Sequence, residues 1–190
     1  MTIQEHIAAI LEQLLPTPWP ASIQATPKRY AEALAFLTEG YHASLENIFE
    51  HALFDSPDNH MVIVRDIEFY SSCEHHLLPF FGRCHISYMP DGKLLGLSKF
   101  GEVVDVFARR LQTQEHLTQE IAACLAHYTG ARGVGVVMEA EHLCMKMRGI
   151  QKQHPVLVTQ AFLGELNMPN QQAIFFNLLQ QAHKSSQTNR

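Results

Sequence analysis

Two short segments, far apart in the chain, carry residue types that bind metal ions. Cys73 and His76 stand three positions apart, and His142 and Cys144 stand two positions apart in a distant segment. A turn brings positions i and i+3 within reach of one ion, and alternate residues of a strand point to the same face. Thiolate sulfur and imidazole nitrogen are ligands that zinc prefers. The pattern predicts one zinc site assembled from two separated strands.

The number of ligands indicates the kind of site. Cys73, His76 and Cys144 supply three donors and leave a fourth position for water, which is typical of catalytic zinc, whereas structural sites close with four ligands. His75 and His142 then remain beside an activated water. An imidazole titrates near neutrality and can transfer protons. The alternatives are that either histidine only orients a ligand, or that the cysteines are buried core thiols.

A second candidate group consists of cations that could hold an anion. Lys99 follows Ser98, which the sequence predicts as the N-cap of a helix, so its charge and the helix's unpaired N–H groups lie at one end. Arg148 follows the second metal segment, and Arg29 lies in the first turns of an N-terminal helix. Each of the three could equally be a solvated surface charge.

A helix start carries a further polar pair, Gln114 and Glu115. The carboxylate of Glu115 could interact favourably with the helix dipole. It could equally accept hydrogen bonds from paired N–H donors of a planar heterocycle. The residues alone leave both interpretations open.

Helices and strands alternate around these segments. Apolar periodicity, caps and breakers predict helices at 3–15, 26–40, 44–54, 98–111, 117–128 and 171–183. β-Branched runs and alternation predict strands at 61–69, 79–89, 94–97, 132–142 and 156–163. Strand pairs with short connections favour an α+β fold, an antiparallel sheet with both middle helices on one face. We expect an N-terminal helical segment over 1–58 and a catalytic domain over 59–190.

Composition excludes several classes of protein. The chain is 46% hydrophobic and 17% charged with a net charge of −5, and its scattered Lys and Arg residues do not predict a nucleic-acid surface. Neither a signal peptide nor an apolar stretch of membrane-spanning length is recognisable. Four cysteines without a secretory signal are typical of a reducing cytoplasm.

Taken together, the motifs resemble the GTP cyclohydrolase I family. The likeness runs from about residue 26 to residue 164, and its motifs occupy 72–76, 96–99, 112–118, 142–144 and 147–149. The resemblance implies a tunnelling fold, with a four-stranded antiparallel sheet, two helices on one face and preceding N-terminal helices. It also implies a ring-shaped homodecamer with active sites between subunits.

The resemblance further implies a reaction and a set of roles. Zinc held by Cys73, His76 and Cys144 would activate a water that attacks C8 of GTP while His142 protonates N7. A second hydrolysis would release formate, and rearrangement of the ribose with ring closure would give 7,8-dihydroneopterin triphosphate. The remaining roles would be ribose contact by His75 and Ser98, guanine-edge contact by Gln114 and Glu115, and phosphate contact by Lys99, Arg148 and Arg29.

The phosphate side departs from the family pattern. Glu102 stands where the family usually has a triphosphate-binding arginine, His116 stands where an arginine is usual, and 153–159 replaces a Thr/Ser-rich run. If Glu102 faces the pocket, a carboxylate in place of the arginine should weaken polyphosphate binding by several kcal/mol. This is roughly the energy of two like-charge contacts in a poorly solvated site at an effective dielectric constant of ~20. The alternative substrate is therefore a less phosphorylated guanine nucleotide, unless Glu102 turns outward and another cation substitutes.

Other classes of protein share parts of the pattern. A non-catalytic pterin- or purine-binding protein of this fold, or a structural zinc protein, would have no need of an acid such as His142 beside Cys144. A nitrile reductase of the same fold would use a nucleophilic cysteine and NADPH instead of a zinc triad. The resemblance, together with His142 beside Cys144, therefore implies a zinc-dependent GTP cyclohydrolase I or a close paralogue that acts on a guanine nucleotide.

Overall fold

A computed structural model describes the backbone of residues 1–187 and the side chains of residues 1–180. Within this range the α-helices are α1 (Ile3–Leu14), α2 (Thr26–Leu37), α3 (Leu45–Phe49), α4 (Leu97–Ala108), α5 (Gln114–Thr129), α6 (Leu143–Lys146) and α7 (Pro169–Gln187). The strands are β1 (Leu53–Asp55), β2 (Val62–Cys73), β3 (Pro79–Met89), β4 (Lys93–Leu95), β5 (Leu111–Gln112), β6 (Gly133–His142) and β7 (Leu157–Gly164).

One sheet dominates the structure, with strand order β5-β2-β3-β6-β7. Its four long strands, β2, β3, β6 and β7, are antiparallel, and the two-residue β5 adds a short parallel pairing to the end of β2. The α+β class and the four-stranded antiparallel sheet predicted from the sequence are thereby confirmed. The register pairs Phe80 of β3 with His142 of β6, which sets the end of β6 beside the start of β3.

The two faces of the sheet are covered by different helices. Residues Val134, Val136 and Met138 of β6 belong to the main core, which α4 and α5 complete on one face. Val137 points the other way and packs with Phe175 of α7. The prediction that both middle helices lie on one face is confirmed. Because side chains alternate along β6, Val137 points away from the main core and offers an apolar contact to α7 on the opposite face.

The N-terminal region is helical but includes one strand. Thr2 caps α1 through a reciprocal pair of hydrogen bonds with Glu5, and Pro27 lies in the first turn of α2. The predicted 44–54 helix is too long, because α3 ends at Phe49 and β1 follows it. β1 pairs antiparallel with β4, which ties the N-terminal region to the segment before α4.

Two helix starts near the candidate site differ from the sequence prediction. Gly96, not Ser98, is the N-cap of α4, so Ser98 and Lys99 both lie in its first turn. The predicted 117–128 helix begins three residues earlier as α5, because the Thr113 side chain accepts a hydrogen bond from the His116 N–H at 3.2 Å. Gly130 ends that helix in the left-handed region at φ 61°.

The four cysteines are all unpaired and divide between core and site. Cys84 and Cys124 belong to the buried core. Burial raises the pKa of Cys84 far above its ordinary value and that of Cys124 to about 12, so both behave as small apolar residues. Cys73 and Cys144 are the two that reach the candidate site. Among residues 1–187, no helix combines the length and apolar character that crossing a bilayer needs.

Candidate metal centre and active site

A tight turn after β2 brings the first two candidate ligands together. Cys73 is the last residue of β2, and its carbonyl accepts hydrogen bonds from the N–H groups of His76 at 3.3 Å and Leu77 at 2.8 Å. The Cys73 N–H donates in turn to the Leu78 carbonyl at 2.9 Å. The turn folds the chain back so that Nδ1 of His76 lies 3.7 Å from Sγ of Cys73.

The third candidate ligand comes from the far end of β6. Because β3 pairs with β6, the chain leaves β6 at His142 beside the turn that carries His76. The sequence argument treated His142 and Cys144 as alternate residues of one strand, and this was wrong. Cys144 lies in the single-turn helix α6, and this turn places the Cys144 sulfur in the cluster. The ligand atoms of Cys73, His76 and Cys144 all lie within 4.8 Å of one another.

The geometry and chemistry of this donor set fit zinc. Two ligands held at about 2.1 and 2.3 Å by a tetrahedral ion lie about 3.6 Å apart. The separation of 3.7 Å between Cys73 and His76 matches that spacing. Burial, and then the facing Cys73 sulfur, raise the pKa of the Cys144 thiol. Two adjacent thiolates would therefore need a positive charge between them, which a divalent ion supplies.

His142 is held rigidly at the edge of the cluster. Its ring stacks on the buried Phe80 at a centroid distance of 4.7 Å and an interplanar angle of 4°. Its Nε2 lies 2.9 Å from Oε1 of Gln114. Burial lowers the pKa of His142, and the Glu115 carboxylate opposes that shift. The side chain is fixed on one face by an aromatic ring and on one edge by an amide.

The orientation of the Gln114 amide determines the tautomer of His142. Nε2 of Gln114 donates to the carbonyls of Met138 and Leu157 and to Oγ1 of Thr159, at 3.2, 3.1 and 3.0 Å. Oε1 of Gln114 therefore faces His142 and accepts a hydrogen bond from its Nε2. Nδ1 is then the ring nitrogen through which His142 can exchange a proton with a ligand.

The other predicted site residues are spread over several elements. His75 lies next to the cluster, with its side chain 64% exposed, its Nε2 3.7 Å from Glu74 and its Nδ1 3.9 Å from the Cys73 sulfur. Arg148 is exposed, yet close enough to Cys144 for its charge to offset part of the rise in the pKa of that thiol, which burial causes first. Arg29 is exposed on α2, which packs mainly against α1.

The lysine of the anion-binding site predicted on α4 is paired with a carboxylate, which the sequence analysis did not predict. Nζ of Lys99 donates to both carboxylate oxygens of Glu102, each at 2.9 Å. Ser98 is exposed beside it, and Glu115 is exposed in the first turn of α5. The Glu102 side chain is 43% exposed and is paired with Lys99 within the same helix.

Sequence reasoning did not identify the residues that contact His142 or support its partner Gln114. Phe80 was assigned only to a strand, and Thr118 and Thr159 were not singled out. The two threonine hydroxyls lie 2.7 Å apart, and the Thr159 hydroxyl also accepts from Gln114. The spacing of Gln114 and Thr118, one helical turn apart, was the available signal.

Comparison with known proteins agrees with this geometry. The family model for GTP cyclohydrolase I matches residues 3–180. GTP cyclohydrolase 1 of Coxiella burnetii (strain RSA 493) is 52% identical over 163 residues, covering 86% of this chain and 89% of the relative. The Hahella chejuensis protein of the same name is 50% identical over 173 residues, covering 90% and 92%.

A relative named GTP cyclohydrolase 1 2, from Pseudomonas aeruginosa, is 49% identical over 165 residues, covering 87% of this chain and 91% of its own. The matches thus span both metal segments and nearly the full length of the relatives. The sequence motifs, the sheet that joins them and these comparisons lead to one conclusion: the chain belongs to the GTP cyclohydrolase I family.

Proposed function

We propose that this protein is a zinc-dependent GTP cyclohydrolase I, which hydrolyses the guanine ring of GTP at C8 and releases formate to give 7,8-dihydroneopterin triphosphate. The observation that carries the proposal is the convergence of Cys73, His76 and Cys144 within 4.8 Å beside a rigidly held His142. The names of the relatives support the same activity.

The three ligand residues would hold one zinc ion, which when bound supplies Lewis-acid activation of water. Cys73 and His76 come from one turn and Cys144 from α6. The ligand set is therefore complete only when β3 has paired with both β2 and β6. This arrangement makes metal affinity and folding mutually dependent.

His142 is the proposed proton donor to N7 of the guanine ring. The hydrogen bond to Gln114 assigns one proton to Nε2, so transfer to and from substrate would take place at Nδ1. Stacking on Phe80 shields one face of the ring from water and holds its plane. A positioned general acid of this kind contributes about 10²–10⁴-fold to a rate.

We assign the substrate contacts to residues that lie on several different elements of the fold. Glu115 presents an exposed carboxylate at the start of α5 for the guanine edge, and Gln114 supports that edge through its hydrogen bonds to β6, β7 and His142. His75 and Ser98 would contact the ribose. The phosphates would meet cations of three different elements, Lys99, Arg148 and Arg29.

We also propose a homo-oligomer, a ring-shaped decamer with sites between subunits. β7 is an edge strand of the sheet and carries exposed apolar side chains, including Val158 and Leu163. Such an edge invites pairing with another chain. The position of Arg29 on the N-terminal helices supports a site completed by a neighbour. The four unpaired thiols support a reducing, cytoplasmic location.

Product analysis tests the proposed function directly. Zinc-loaded protein incubated with GTP should release one formate per GTP, and oxidation of the product should give pterin fluorescence. The matched control is the same protein after removal of zinc with a chelator, which should lose both signals and regain them when zinc is restored. A metal-loaded protein that binds GTP and releases no formate would instead be a non-catalytic binding protein.

A further inference from the structure

Lys99 of α4, which the proposed function assigns to phosphate binding, forms an ion pair with Glu102 of the same helix. Nζ of Lys99 contacts both carboxylate oxygens of Glu102 at 2.9 Å. The Lys99 side chain is 26% exposed and that of Glu102 is 43% exposed, so water screens the pair only in part. The ammonium group therefore already has a partner before any nucleotide arrives.

In the described part of the chain, the next cation along α4 is paired with carboxylates as well. One turn further along α4, Asp105 pairs with Arg109 at 2.9 Å, and Arg109 also contacts Glu39. These groups and Glu102 line a cavity of about 370 Å³ on this side of the helix. Three carboxylates face two cations here, so a phosphate approaching Lys99 meets a locally negative surface.

We propose that Glu102 is a specificity-determining residue that weakens the preference of this enzyme for nucleotides with more phosphates. The inference rests on the proposed function, which places the substrate's phosphates at Lys99. A phosphate oxygen can bind the ammonium only by displacing the Glu102 carboxylate, which then stays nearby as a like charge. The repulsion grows with the charge of the phosphate chain and vanishes for guanosine. The ring-opening residues lie on other elements and are unaffected.

The substitution Glu102→Gln tests this with little change in shape. The amide can still accept a hydrogen bond from Lys99 but carries no charge. We expect the KM for GTP to fall about tenfold with kcat unchanged, because removing one partly screened like charge acts on binding alone. The KM for GMP should fall less, and kcat/KM for guanosine should stay the same.

A matched control is available elsewhere in the chain. Arg132 and Glu165 form another bidentate pair at 2.9 Å, with side chains 34% and 39% exposed. Glu165→Gln weakens a pair of similar distance and exposure, and removes the same charge, in the turn after β7. It should leave the ratio of GTP to guanosine kcat/KM at the wild-type value.

Inorganic tripolyphosphate provides a readout independent of turnover. Titrated into zinc-loaded protein, it should bind Glu102→Gln about tenfold more tightly than wild type or Glu165→Gln. Equal affinity for all three proteins, with an unchanged GTP to guanosine ratio, would overturn the role of Glu102. Absence of formate release from every guanine compound would overturn the proposed function instead, while the tripolyphosphate titration would still decide the role of Glu102.

Discussion

The metal-ligand cluster, here called the metal corner, and the Lys99–Glu102 pair on α4 differ in whether their polar groups already have partners. At the metal corner, which consists of Cys73, His76 and Cys144, the three ligand atoms lie within 4.8 Å of one another and are placed to share one ion. On α4, Lys99 is satisfied by Glu102 within the same helix. Under the proposed function, the metal ligands thus stay available for an ion, whereas the lysine assigned to phosphate is already paired with a carboxylate.

The difference also lies in how each region is built. The metal corner depends on contacts between residues far apart in sequence, held by the pairing of β3 with β2 and β6. The Lys99–Glu102 pair is a local i,i+3 contact that a single substitution creates or removes. Under the proposed function, a substitution at position 102 should therefore change the phosphate preference without changing the ring-opening chemistry. The predictions below test this separation, from the largest effect to the smallest.

The most severe change is Cys144→Ser at the metal corner. We expect zinc content to fall well below one ion per chain and formate release to fall to background, because a hydroxyl is a poor substitute for a thiolate ligand. Metal analysis and formate assay measure the two losses. Cys124→Ala removes a core thiol instead, and should retain full zinc content. If Cys144→Ser kept its zinc, the assignment of the ligand set would be wrong.

His142→Ala should separate metal binding from proton transfer. We expect kcat to fall about 10²–10⁴-fold, while zinc remains at one ion per chain, since a general acid is lost and the ligands stay. The exposed His60 provides the control, and His60→Ala should behave as wild type. Loss of zinc together with activity would point to a structural role for His142 and favour a non-catalytic zinc protein.

Gln114→Ala should disturb the orientation of His142 without touching the metal. We expect kcat to fall about 10–100-fold, as for other residues that orient a functional group from behind. Stability should fall by about 1–3 kcal/mol, because partners on β6 and β7 lose a buried donor. Kinetics and thermal unfolding measure the two effects.

The control for Gln114 is another buried glutamine, Gln112, which bonds to Phe107 and Glu120 and not to His142. Gln112→Ala should lose stability and keep most of its kcat for each folded molecule. An equal loss of kcat in both variants would mean that Gln114 acts only through general stability.

The smallest effect concerns salt. Charge repulsion at α4 should weaken as ionic strength rises, because the Debye length shortens from about 10 Å at 0.1 M to about 3 Å at 1 M. The gap in KM for GTP between wild type and Glu102→Gln should therefore narrow with added salt. A gap independent of salt would indicate a steric cause at position 102.

Much of the fold was predictable because it depends on local patterns. The β-branched runs, the apolar periodicities and the caps predicted the four long strands and the helices α4 and α5 within a few residues. Errors occurred where a contact from elsewhere in the chain decided the outcome. Residues 53 and 54 were predicted to end a helix, yet they belong to β1 and pair with β4. The Lys99–Glu102 pair was itself predictable from helical spacing, since it is local.

The amino-acid sequence was enough to identify the metal-binding side chains, most of the strands and helices around them, and the family. The three-dimensional fold was needed to show that Cys144 reaches the cluster from α6 and that His142 is held between Phe80 and Gln114. The physical reason is that periodicity records how a side chain points relative to its own element. Distances between elements depend on strand register and on the packing of side chains remote in sequence.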